Sequence, residues 1–266
     1  MGLLFVVVAL SVLVKPMASA EVAFSYSGST GPDQWASLSP DYALCSTGKS
    51  QSPVNLFGRL TPVSPNLKAL DIQFNDSVNA TLVNKGYHVE LSYNGGGGGV
   101  LVLNGTNYTL NEMHWHVPSE HQFFRIPFAG EVHLGYSSPN NTAALVAIML
   151  RLGRSDPILD KLEHELSGLP MRSAGESPPE VAVGNTTDIQ ILLREFTNTD
   201  RYYTYQGSST TPPCSEGVTD IVIGEFRTIS IDQVEALKRP LDNGSKNNAR
   251  PVQPLNGRKV EAYQAQ

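Results

Sequence analysis

Cysteine is nearly missing from this chain of 266 residues: Cys45 and Cys214 are the only two. A pair so far apart is poor material for a closed, thiolate-rich structural zinc site. In an oxidising compartment an isolated pair forms one disulfide, here closing a loop of about 170 residues and worth at most roughly 5 kcal/mol in the chain-entropy model. In a reducing compartment the two would instead be buried free thiols. Positive charge is also short, with 19 Lys and Arg against 25 Asp and Glu and a formal net charge of -6. That balance argues against nucleic acid or an anionic membrane as the main partner, and solubility alone accounts for it. Long apolar runs are absent after residue 14, so no later segment reads as a membrane span.

What the first residues do contain is "LLFVVVALSVLV" (residues 3–14), then "KPMASA", whose Ala18-Ser19-Ala20 fits a small-x-small cleavage site. Residues 1–20 read as a secretory signal peptide, although no Lys or Arg precedes the apolar run. A membrane anchor needs about 20 apolar residues and this run has twelve. Cleavage removes Lys15, takes the charge from -6 to -7 and leaves residues 21–266, a length that β-rich folds fill as one domain. Seven Asn-x-Ser/Thr triplets, at Asn75, Asn79, Asn104, Asn107, Asn140, Asn185 and Asn243, agree with a secreted glycoprotein but also arise by chance. The secretory route leads to the cell exterior, a wall or periplasmic space, or an organelle.

From Leu70 to Leu150 the apolar pattern has period two: "TLVNKGYHVELSY", "VLVLNGTNYTL" and "AALVAIML" read as strands. Asn94-Gly95, opening a run of five glycines, and Asn104-Gly105 read as two hairpin turns, the first with a floppy tip. Helix signals are few and short. Ser155 or Asp156 caps "PILDKLEHEL", Ser230 and Gln233 form a capping box before "IDQVEAL", and "TDIQILLREF" is a third candidate. A β-rich single domain with peripheral helices follows.

Histidine is scarce, six in all, yet "NEMHWHVPSEH" (residues 111–121) holds three. His114 and His116 are two apart, so on a strand both rings fall on one face, about 7 Å apart at Cα. His133 lies in another strand-like stretch, "GEVHLGY". If the two stretches pair antiparallel, three neutral imidazoles converge, the ligand set of a zinc that keeps an open fourth position for water. Glu112 and Glu131 each stand two residues before a histidine, on the same faces, where a ligating imidazole wants a carboxylate for its other N–H. A lone His-x-His on a strand is otherwise common. "HWHVPSE" also fits the opening of the cupin metal motif, but the second cupin motif, Pro-x-Gly-x-x-His, is missing.

With these residues in view, "FSYSGSTGPDQW", "GKSQSPVNL", "HWHVPSEH", "EVHLGY", "YTYQGSSTTPPCSEGVTDIVI" and "NARPVQPLNGRKV", in that order, resemble the α-class carbonic anhydrases, especially the secreted plant and algal type. The resemblance implies a mainly β single domain: a large, twisted, mostly antiparallel sheet of about ten strands with a few short peripheral helices, and zinc at the bottom of a conical cleft. It implies reversible hydration of carbon dioxide to bicarbonate, inhibition by sulfonamides and anions, and no nucleic-acid or, once the leader is cleaved, membrane partner. His114, His116 and His133 match the zinc ligands, and Glu131 the acid that fixes the tautomer of the third. Glu112 stands where the family has Gln. Thr210 matches the threonine that accepts a hydrogen bond from the attacking hydroxide and donates its own proton to a glutamate, here Glu120. Thr211 matches the next residue of the substrate site, and Cys45 and Cys214 the disulfide of secreted members.

The resemblance also has departures. Tyr87 takes the place of the family's proton-shuttle histidine, and a phenol of pKa near 10 carries protons poorly at pH 7. His88 is adjacent but, on a strand, points to the opposite face unless a bulge turns it. At the wall that holds CO2, where the family favours Val, Val, Leu, Val and Trp, this chain has Gly135, Leu145, Ser209, Val218 and Asp220. Ser209 and Asp220 would make that wall wetter, and a buried Asp would need a partner. Slow zinc-dependent hydration of CO2, a non-catalytic binding or storage relative and, remotely, a cupin-type metal enzyme are the functions this pattern leaves.

Overall fold

The computed structural model describes residues 23–95, 97–172 and 177–266. The leader assigned to residues 1–20 lies outside the described residues. In chain order the strands are β1 (Asn55–Leu56), β2 (Asp71–Phe74), β3 (Asn79–Asn84), β4 (Val89–Tyr93), β5 (Gly99–Leu103), β6 (Thr106–His116), β7 (Gln122–Phe123) and β8 (Ile126–Pro127). They continue with β9 (Gly130–Ser137), β10 (Ala143–Leu152), β11 (Glu180–Asn185), β12 (Arg201–Ser208), β13 (Glu216–Ile223), β14 (Arg227–Ile229) and β15 (Glu261–Gln264). Twelve of them form one sheet in the order β11-β3-β4-β6-β9-β10-β13-β12-β15, with β5 and β2 beside the first half of β6 and β14 beside β10. Only β13 and β14 run parallel to their neighbour β10. The mainly β, mostly antiparallel sheet is thus present, two strands larger than expected.

Alternation along β6 sends its two faces to different tasks. Met113, Trp115 and Val117 are at most 2% exposed and join the main core with Leu91, Leu134 and Ile148. Burying each such side chain contributes roughly 1.5–3 kcal/mol, so the face carrying the histidines between them is held rigidly. The short helices sit where the capping signals put them. Asp156 caps Pro157–Lys161 by accepting from the N–H groups of Ile158 and Leu159, and Ser230 with Gln233 forms the reciprocal box on Ile231–Lys238. Helix Thr187–Thr197 covers "TDIQILLREF".

The glycine run is a correction. β4 and β5 do not pair with each other. Both lie along β6, β5 against Thr106–Thr109 and β4 against Glu112–His114, so the chain from Asn94 to Gly98 joins two segments of one edge. Nor do Gly97 and Gly99 sit in open space. A Cβ on Gly97 (φ +78°) would lie 2.5 Å from Leu110 O, and one on Gly99 2.3 Å from Gln73 O, so backbone packs where side chains do not fit. The second turn, Asn104-Gly105, is the hairpin expected. Cys45 and Cys214 are disulfide-bonded, tying the short helix Leu44–Thr47 to the segment after Thr210-Thr211.

Candidate metal centre

Antiparallel pairing of β6 with β9 sets His114 directly opposite His133, His116 opposite Glu131, and Glu112 opposite Gly135. The three imidazoles therefore share one face, with ring centroids 5.0 Å (His114–His116), 5.0 Å (His114–His133) and 4.7 Å (His116–His133) apart. His114 Nε2 and His133 Nδ1 face each other at 3.2 Å.

Every one of the three has its outer nitrogen committed. His114 Nδ1 donates to Glu112 Oε2 (2.7 Å) and His133 Nε2 to Glu131 Oε1 (2.7 Å), as the spacing predicts. His116 Nδ1 donates to the main-chain oxygen of Asn248 (2.6 Å). Asn248 was not foreseen, since a carbonyl acceptor leaves no mark in side-chain chemistry. Its own side chain is locked by Val117 N–H, Trp115 O and Tyr87 O.

With all three rings neutral the inner nitrogens are lone pairs aimed at one another; burial works against a charge on His114, but the Glu112 carboxylate outweighs it and raises that ring's pKa. His116 is held well below its ordinary pKa by burial and by the neighbouring histidines, and its Nε2 is buried without a hydrogen-bond partner. Glu120 Oε2, likewise unpartnered, lies 3.4 Å from His116 Nε2 and 3.9 Å from His133 Nδ1. One proton between His114 and His133 would satisfy that pair alone. A divalent cation would satisfy all three nitrogens and offset the Glu120 charge, so the donor set fits a metal ion. His116, Glu120 and His133 each offer a ligand atom within 4.8 Å of the others, as do His88, His114 and His116.

Glu120 is fully buried, which pushes its carboxyl up to about 8, against a hydrogen bond from Thr210 and one from the N–H of Arg250 (2.9 Å). The Arg250 guanidinium is spent on Ser52 O and Cys45 O, and so supplies no ion pair there. A cleft of about 310 Å³ opens over the histidines, walled by Gly135, Leu145, Ser209, Thr210, Thr211 and Val218. Ser209 is half-buried, its hydroxyl turned to Thr211 O (3.0 Å).

Two positions depart from the sequence reading. His88 does not lie on a strand: β3 ends at Asn84, whose side-chain Oδ1 accepts the N–H of Gly86 (φ +87°), and that turn brings His88 onto the cleft. There it stacks on His114 at 4.4 Å, with both ring nitrogens buried and without a hydrogen bond, Nε2 lying 3.5 Å from Glu90 Oε2. Tyr87 packs on Phe24 instead, at 4.7 Å. Asp220 is not on the cleft wall. It is fully buried, and Oδ2 accepts from the Ser52 hydroxyl (2.9 Å).

Comparison with known proteins agrees with this architecture. Residues 30–264 match the family of eukaryotic-type carbonic anhydrases. Alpha carbonic anhydrase 7 of Arabidopsis thaliana is 36% identical over 233 residues, 88% of this chain and 81% of the relative. Dioscorin, solved in complex with ascorbate, superposes with a TM-score of 0.82 at 33% identity, covering 92% of this chain and 99% of that one. The α-carbonic anhydrase of Thermovibrio ammonificans, solved with the inhibitor sulfanilamide, gives 0.77 at 30%, covering 90% and 99%. The fold is that of an α-class carbonic anhydrase. This chain belongs to that family of enzymes, whose general reaction is the hydration of CO2, and the cupin alternative falls. Among the described residues no helix is long and apolar enough to cross a membrane.

Proposed function

We propose that this chain binds Zn2+ through His114 Nε2, His116 Nε2 and His133 Nδ1 and catalyses the reversible hydration of CO2 to bicarbonate and a proton. The observation that carries this is the approach of two lone-pair nitrogens, His114 Nε2 and His133 Nδ1, to 3.2 Å beside an unpartnered His116 Nε2. These three residues would hold zinc, which when bound would supply the Lewis acidity that lowers the pKa of a water to about 7, a magnitude known for carbonic anhydrases as a class.

The chain's own residues do the rest. Glu112, Asn248 and Glu131 take the outer N–H of the three rings and fix their tautomers. Thr210 donates to Glu120, so its oxygen is left as an acceptor and favours a nucleophile that carries a proton. Leu145 and Val218 offer CO2 an apolar surface beside Thr211. Tyr87 packs away on Phe24, so the proton leaves to external buffer and turnover is slower than in a relative with an internal shuttle. Sulfonamides and small anions would inhibit by binding at the metal, as sulfanilamide is bound in the complex of the Thermovibrio ammonificans enzyme. The leader at residues 1–20 sends the protein into the secretory route, where the Cys45–Cys214 disulfide is stable.

A second function has one observation in its favour. The Glu112 carboxylate lies over Gly135 in the cleft, placing a charge where an apolar side chain would hold CO2. A binding relative, as dioscorin is for ascorbate in its complex, would tolerate that. Stopped-flow CO2 hydration on zinc-loaded residues 21–266, beside His114→Ala and with a sulfonamide, separates the two. Sulfonamide-sensitive turnover supports the enzyme; zinc bound with no turnover above the variant overturns it.

A further inference from the structure

Three times around this cleft a histidine and a glutamate stand two residues apart, the spacing that puts both side chains on one face of an extended chain. In two of the pairs the carboxylate holds an imidazole N–H at 2.7 Å, Glu112 that of His114 and Glu131 that of His133. The third pair is different. His88 immediately precedes β4, Glu90 lies on β4 opposite His114 of β6, and both line the cleft. Here Nε2 and Oε2 stand 3.5 Å apart with no hydrogen bond between them, although His88 is only 6% exposed and Glu90 9%.

We propose that His88 Nε2 and Glu90 Oε2 form a second cation site, on the cleft wall beside the three-histidine centre, which takes up a divalent transition-metal ion such as Zn2+ or Cu2+.

The separation of the two atoms carries the argument. A charged N–H···O hydrogen bond closes to about 2.7–2.9 Å. An ion bound tetrahedrally to a nitrogen and an oxygen, each at about 2.0–2.2 Å, instead holds those two atoms about 3.4 Å apart. The Nε2 and Oε2 of this pair have the wider spacing. So have His114 Nε2 and His133 Nδ1, read above as ligands of one ion, at 3.2 Å. Burial gives the spacing weight, because a ring nitrogen shut away from water without a partner is costly. With the ring proton on Nδ1, Nε2 is a lone pair free to ligate.

The surroundings set the strength and the kind of ion. Glu90 Oε1 lies 3.3 Å from the half-buried Lys85 ammonium, which takes up part of the carboxylate charge and leaves Oε2 to the cation. The site is therefore weaker than the three-histidine centre, and water of the cleft completes the coordination. One imidazole with one carboxylate suits Zn2+ or Cu2+, whereas Mg2+ and Ca2+ take oxygen ligands. His88 also stacks on His114 at 4.4 Å, so an ion held here stands in the cleft that leads to the first centre. Excess metal then slows the reaction, a consequence that rests on the function proposed above; the site itself does not.

The test titrates the full mature chain with Zn2+ alone, counting bound ions by equilibrium dialysis and reading the affinities by calorimetry. The wild type should take up two ions per chain, the second more weakly, and His88→Ala only one. Glu90→Gln, which keeps the site testable if His88→Ala does not fold, should weaken the second step at least about tenfold, the least that loss of a group behind a ligand costs. His133→Ala should lose the first ion and keep the second. A second ion that survives both His88→Ala and Glu90→Gln binds elsewhere and overturns the site. So does a wild type that binds no ion, or a single one that disappears in His133→Ala. A single ion that survives His133→Ala and is lost in His88→Ala overturns the three-histidine centre and supports this site. Excess Zn2+ should slow CO2 hydration by the wild type and not by His88→Ala; equal slowing in both, or none in either, overturns the inhibition.

Discussion

A Cβ on Gly135 would lie 1.9 Å from Oε1 of Glu112, the residue directly opposite it on the neighbouring strand. The two positions are therefore one unit: the carboxylate occupies the volume a side chain at 135 would fill, and from there its other oxygen holds His114 Nδ1. Gly135→Val should push Glu112 off His114 and weaken zinc binding about tenfold, as loss of a partner behind a metal ligand does. Chelator competition reads the change. Glu112→Ala should produce a similar loss, and adding it to Gly135→Val should cost little more; additive losses would show that the two positions act separately.

Thr210 and Glu120 should also behave as a pair, but on turnover and not on metal affinity. Glu120 is fixed by the Arg250 N–H and takes the Thr210 proton. Thr210→Ala should lower kcat/KM for CO2 hydration roughly 100-fold, in the range for losing one positioned proton-transfer or hydrogen-bonding group. Glu120→Gln should cost a comparable factor and the double variant little more. Zinc affinity within about threefold of wild type for Thr210→Ala would place the loss in chemistry; a parallel loss of zinc would refute that assignment.

The resemblance and the spacing made the metal face legible, and the reason is geometric. A strand alternates faces with period two, so His114, His116, Glu112 and, on β9, His133 and Glu131 could be placed relative to one another before their strands were paired. What stayed hidden depended on distant backbone. Asn248 contributes a carbonyl, His121 reaches the site only because the chain turns back after Val117, and His88 faces the cleft because an Asn84–Gly86 turn ends β3 early. The same blindness produced the hairpin at Asn94-Gly95: glycines signal a turn, but Gly97 and Gly98 accommodate a close approach to Leu110. Asp220 was placed on the CO2 wall by alignment, and nothing local announced that Ser52, 168 residues away, would turn it inward.

Glu131 should be the most costly single loss. It is fully buried and accepts from two imidazoles and two main-chain N–H groups, so Glu131→Ala leaves four buried donors without a partner. Breaking such a buried charge network destabilises by about 3–5 kcal/mol, measurable by urea unfolding at pH 7. The sign with pH follows from its pKa. Burial opposes the carboxylate, but His121 and His133 outweigh it and hold the value well below 4.5. A depressed carboxyl contributes stability that is complete above its unfolded value and is lost as pH falls through the folded one. Below pH 4.5 the wild type should therefore lose stability more steeply than Glu131→Gln, and equal slopes would contradict the assignment.

Proton release supplies the last expectation. With Tyr87 packed on Phe24 and a phenol in any case too weakly acidic to pass protons at pH 7, the step that returns the site to its reactive form depends on buffer. Imidazole should raise kcat until it saturates and leave kcat/KM unchanged, because the proton leaves after CO2 has reacted. Tyr87→Phe should respond to imidazole as the wild type does. A kcat that is already high in dilute buffer and insensitive to imidazole would mean that another group of the cleft carries the proton. His88, stacked on His114, would then be the first to replace.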